Sequence, residues 1–258
     1  MKVLEDPQLE RKRKLPWFID IFLYPLSISG IINLIIFLCA PILINLIHRF
    51  ILNYIWLVGG FMAVILYLLF VGYVLYYLSW CVVDSAKGGL RAPDITIYDT
   101  PDKAELLSQL FLVLGSVAVC FCPASVYYIF TERTDLLFWL LLAYGIFFLP
   151  MVLLRAIMFD TVDALNPILI VGSIFKAFLP YCGLILIFCV FTVVLRPFIS
   201  NLPKPESFIA TINYLDIVLS YQSGAALFCR KVALIYLAMI AAHLLGRFYW
   251  WNKDKLDW

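Results

Sequence analysis

The sequence predicts an all-α polytopic membrane bundle, with six transmembrane helices arranged as three hairpins and flanked by interfacial helices. Three observations predict it. The 258 residues are 64% hydrophobic and only 14% charged, with a mean hydropathy of +0.98, whereas soluble domains sit near a quarter charged. Residues 50–83 run for 34 positions without an Asp, Glu, Lys or Arg, and a bilayer core of ~30 Å needs only about 20 apolar residues as helix. Further apolar runs follow at bilayer length, and Lys and Arg gather at a few of their ends.

In chain order, residues 1–15 form a basic tail, with Arg11, Lys12, Arg13 and Lys14 leading into apolar sequence without a small-residue cleavage site. Residues 16–25 are apolar but carry Asp20, Trp17 and Tyr24. That mixture suits a helix at headgroup depth with the two aromatics as belt residues. The first two spans are expected at 27–48 and 55–83, joined by a tight connection around Arg49. A polar stretch, 84–98, ends this hairpin. Thr100-Pro101-Asp102 then reads as a helix start, with an N-cap, a first-turn proline and an acid.

The third and fourth spans are expected at 106–130 and 136–159, separated by a short turn. Asn166-Pro167 begins an amphipathic interfacial stretch to Phe178, and the fifth span follows at 179–198. Residues 200–208 are a Pro-rich loop. Residues 217–229 are uncharged but short for a span, so the sixth span is placed at 232–250. A span at 217–246 would instead put Arg230 and Lys231 near mid-bilayer, at about 2.5–3.5 kcal/mol each. Arg247 is expected to snorkel beside Trp250 and Trp251. The domain plan is therefore a cytoplasmic tail at 1–15, a six-helix domain at 16–251 and a cytoplasmic tail at 252–258. Thirteen of the 19 Lys and Arg residues fall on the side of the N-terminus, which predicts both termini cytoplasmic. Phe37-Leu38-Cys39-Ala40-Pro41 in the first outgoing span is echoed by Phe121-Cys122-Pro123 in the third, each proline seven residues before an outer span end, which suggests a weak internal repeat.

Few residues carry chemistry. Pro41, Pro123 and Pro150 each release a carbonyl one turn earlier and mark kinks; such kinks can flank a transport site, though most only bend a helix to fit. Asn33, Asn45, Ser116, Ser125 and Thr192 are the clear mid-span polar residues and suit hydrogen bonding between helices. The seven cysteines fit small buried hydrophobes without a disulfide framework, and Cys120 and Cys122 diverge by about 200° around a helix. His48 and His243 are expected at opposite faces, so no metal or cofactor is expected. Ala238, Ala242 and Gly246 recur every fourth residue as a face for close helix packing, within the chain or against a partner. In the polar loop, Lys87, Gly88, Gly89 and Arg91 are the candidates for contact with lipid phosphate or another anion. Asp84, Asp160, Asp163 and His243 are the only groups that could converge as an enzyme site, and no catalytic residue is assigned.

Residues 86–94 (AKGGLRAPD), 159–167 (FDTVDALNP) and 243–249 (HLLGRFY) together resemble a bacterial group of polytopic membrane proteins classed as a domain of unknown function. The resemblance covers most of the chain. It implies a six-helix domain of the bacterial inner membrane and transfers no catalytic residue. The expected function is a non-enzymatic scaffold, complex subunit or lipid-contacting component. The alternative is a carrier for a small neutral or amphipathic solute. Membrane lipids and a second membrane protein are the expected partners, and nucleic acid is not.

Overall fold

A computed structural model describes residues 17–52, 56–94, 103–159, 166–200 and 224–256. The tail at 1–15, the helix start at Thr100-Pro101-Asp102, Asp160, Asp163 and residues 201–223 lie outside the described residues. Every regular element among the described residues is helical. These are α1 (Trp17–Leu23) with a 3-10 turn (Tyr24–Leu26), α2 (Ile28–Leu52), α3 (Trp56–Ala86), α4 (Lys103–Thr131), α5 (Leu136–Phe159), α6 (Pro167–Lys176), α7 (Phe178–Ser200) and α8 (Gly224–Leu256).

α2, α3, α4, α5 and α8 are each long and apolar enough to cross a membrane. α6 and α7 pass the same test only as a pair, bent by 99°, which makes six candidate spans if the pair counts as one. The bend falls at Ala177, between the interfacial stretch and the span that the sequence separates there. Asn166 starts α6 as expected, its side-chain oxygen accepting the Ile168 N–H at 3.1 Å with Pro167 at the first position.

The helices pair as successive hairpins, α2 on α3, α4 on α5 and α7 on α8, and the hairpins are then joined through α3 and α8. α8 is the central helix: half of its span is buried, against 22–28% of the other four long spans. That position explains why its window has the lowest hydropathy of the five, since its polar residues face protein rather than lipid. Large apolar side chains on the outer helices, such as Ile28, Phe111, Phe130 and Leu179, are exposed as a lipid-facing surface requires.

Tyrosines supply most of the polar ties between helices. Tyr73 and Tyr67 donate to Asn33 at 3.3 Å and Asn45 at 2.8 Å, across α2 and α3. Tyr181 of α7 donates to the Phe147 carbonyl of α5. Ser116 and Thr192, expected to bridge helices, instead donate to the carbonyls of Leu112 and Phe188 one turn back. Their short side chains reach no farther than their own helix. At the α4–α5 turn, Tyr127 and the Phe138 N–H donate to Asp135, and these bonds hold its carboxyl below the usual carboxylate range.

Four further sequence expectations change. Tyr24 is no belt residue but is only 1% exposed, folded under the bundle by the 3-10 turn. Arg247 has its expected neighbour, its guanidinium 5.4 Å from the Trp251 ring, but is buried by protein. The last helix extends through 252–256, where a tail was expected, because Asn252 and Leu256 are buried against other elements. Of the described cysteines, Cys81 and Cys120 are buried, but Cys39, Cys122 and Cys189 lie exposed on the outer surface. The expected divergence of Cys120 from Cys122 is observed.

Candidate functional site

The polar residues of the bundle meet where the C-terminal halves of α3 and α8 run side by side, closed off by the 3-10 turn. Gly246 makes this meeting close. A Cβ there would lie 2.3 Å from the Val82 carbonyl oxygen and 2.6 Å from the Ser85 Cβ, so only glycine lets the two backbones touch. Ala242, one turn earlier, is buried, and Ala238 is half-buried. Gly246 thus packs within the chain.

One turn before Gly246, His243 enters the junction. It is 1% exposed, its Nδ1 hydrogen-bonded to Ser85 Oγ at 2.7 Å, and its ring stacks on Tyr24 at 4.0 Å between centroids and 22° between planes. Ser85 is fully buried. The Tyr24 hydroxyl donates to the Cys81 carbonyl over a long 3.5 Å, and burial holds its phenol well above its usual pKa of 10. Three elements distant in sequence are therefore pinned by one imidazole. His48 sits on α2 nineteen residues after Ser29, about 28 Å along the axis at 1.5 Å per residue, and its side chain lies outside the described residues.

The loop after α3 is ordered by the helix end. Gly88 has φ +94°; its N–H donates to the Ser85 carbonyl at 3.1 Å and the Gly89 N–H to the Asp84 carbonyl at 2.9 Å. This pair of bonds is the Schellman cap, which needs a left-handed residue where Gly88 stands. Gly88 also lies against the Trp250 ring, and a Cβ on Gly89 would fall 1.9 Å from the Asp84 carboxylate. Both glycines are thus accounted for by capping and close packing, whereas Lys87 and Arg91 stand exposed beside them. Ser29 donates to the Ala92 carbonyl at 2.8 Å and ties the loop to the start of α2.

A second locus lies at the same end of the bundle. A cleft of about 350 Å³ opens between α5, α6 and the end of α8, walled by Phe159, Leu169, Gly172 and Leu256, with Arg155 and Lys176 among its lining. Arg155 is buried, its guanidinium 5.3 Å from the Phe159 ring centroid. Sequence inspection counts Arg155 and Lys176 only as charges at span ends. What joins them is the fold-back of α6 under α5, and no local pattern announces it.

Pro41, Pro123 and Pro150 sit inside continuous α2, α4 and α5. α2 and α4 pack on α3 rather than on each other, so Pro41 and Pro123 are not brought together. Of the enzyme candidates, Asp84 adjoins Ser85 on α3 near His243, while Asp160 and Asp163 lie outside the described residues. Among the described residues, no three His, Cys, Asp or Glu side chains come together to hold a metal ion. No family model, curated protein or solved structure matches the chain, so the likeness drawn from its short motifs brings no function with it.

Proposed function

We propose that the protein is a non-enzymatic component of a membrane, a scaffold or subunit of a larger assembly that also contacts lipid. We place it in a bacterial inner membrane with both termini cytoplasmic. The observation that carries the proposal is the sealed junction around His243. The side chain best suited to proton transfer is buried, stacked on Tyr24 and bonded to Ser85. A general acid or base must come within hydrogen-bond reach of a substrate, and an imidazole enclosed in this way holds helices together instead. The orientation rests on the Lys and Arg bias toward the end where α3, α5 and α8 finish.

The carrier alternative ranks second, because the proline-bearing α2 and α4 flank α3 instead of framing a common path. Solubilisation of native membranes in mild detergent tests the proposal. The expected result is a stable membrane-protein partner that co-purifies at fixed stoichiometry. A monodisperse lone chain at native expression level removes the subunit version, and uptake of a neutral solute by the reconstituted chain would replace it with the carrier.

A further inference from the structure

We infer that α6 is embedded in one leaflet of the bilayer, with the side turned away from the core set against lipid acyl chains. The inference deepens the lipid-contacting part of the proposed function and rests on it. Direction is the first argument. α6 is bent 99° from α7, so when α7 crosses the bilayer α6 lies close to its plane and occupies a single leaflet.

The two sides of α6 are the second argument. At 3.6 residues per turn, Ile170, Ser173 and Ile174 share one side, and all three are buried. Ile168, Val171, Gly172 and Phe175 fall within an arc of about 100° on the opposite side. All four are exposed, Ile168 by 79% and Phe175 by 73%. The one charged residue of the helix, Lys176, lies in its last turn and off that arc. A helix lying against water turns polar side chains outward, whereas one that is apolar on both sides is surrounded by protein or lipid.

Continuity decides between those two. Phe178 and Leu179, directly beyond the bend, are exposed, Leu179 by 83%, and so is Phe159 at the end of α5. α5, and α6 with α7 as a pair, are apolar enough to cross a membrane, and exposed apolar residues on such helices face lipid. The outward side of α6 therefore prolongs the lipid-facing surface of both neighbours. A Cβ on Gly172 would meet nothing within 4 Å, whereas Cβ atoms on Gly145 and Gly246 would collide with backbone. Glycines that pack helices in this bundle are crowded, and Gly172 is not.

The test places the full chain, cleared of native cysteines, in phosphatidylcholine vesicles with a nitroxide on Ile168→Cys, Val171→Cys or Phe175→Cys. Collision with oxygen, which concentrates in hydrocarbon, is compared with collision with a water-soluble nickel chelate. All three positions should favour oxygen and read a depth of about 5–10 Å below the phosphates. Ile170→Cys, in the core, should be shielded from both reagents. Preference for the nickel chelate at the three positions overturns the inference by placing this side in water. Shielding from both reagents overturns it too, and assigns the side to a second copy, since no other protein is present in the vesicles. Either failure removes the embedding of α6 alone, because co-purification from native membranes decides the scaffold separately.

Discussion

At residue scale, His243 shows how one polar side chain can be retained in an apolar bundle. Its ring stacks on Tyr24, and its Nδ1 reaches Ser85, so a group that is costly to bury is satisfied by two other elements. His243→Phe keeps the stack and removes the ring nitrogens, leaving the buried Ser85 hydroxyl without this bond. In a double-mutant cycle with Ser85→Ala, unfolding in detergent should show coupling of about 0.6–1.7 kcal/mol, the range for hydrogen bonds between membrane helices. Strictly additive effects would mean the 2.7 Å contact contributes nothing. From the sequence, His243 was legible only as one of two histidines expected at opposite faces and as one of four groups that could converge. Its partners were not, because Tyr24 and Ser85 lie in other elements and carry no pattern that points to it.

At the scale of elements, α3 and α8 are held by proximity as much as by area. They run in the same direction, with Val82 beside Gly246 and Gly88 beside Trp250. Gly246→Ala should force the two backbones apart and cost about 1–3 kcal/mol, as overpacking in a tight interface does. Gly115→Ala on α4, where an added Cβ meets nothing within 4 Å, is the control and should be neutral or slightly stabilising. Thermal melting of both variants in one detergent decides it; equal melting temperatures would refute the close approach. The glycine at 246 was visible in the sequence as part of a small-residue face. Which helix it would meet was not, since spacing identifies a face and not its partner.

At the scale of the whole molecule, the ends of α3, α5 and α8 share one side with the α6 cleft, and the α4–α5 turn lies on the other. Single cysteines at Lys87, Lys253 and Arg133, each exposed, should therefore divide two against one. In a background cleared of native cysteines, an impermeant maleimide added to intact cells should label Arg133→Cys alone, and opening the cells should expose the other two. Labelling of Lys87→Cys and Lys253→Cys from opposite sides would break the six-crossing arrangement.

The helical class, both ends of α5 and the asparagine cap of α6 follow from local sequence, because apolar run length, charge spacing and capping chemistry act over a few turns. Only the tertiary structure decided that α8 is the central helix, that Tyr24 belongs to the core, that Arg247 is buried and that Arg155 and Lys176 border one cleft. In a bilayer nearly every span is apolar on all sides, so periodicity no longer tells a lipid-facing surface from a packed one. What remains is shape, such as the missing Cβ of Gly246 and the fold-back of α6, and it takes effect only when helices distant in the chain come together.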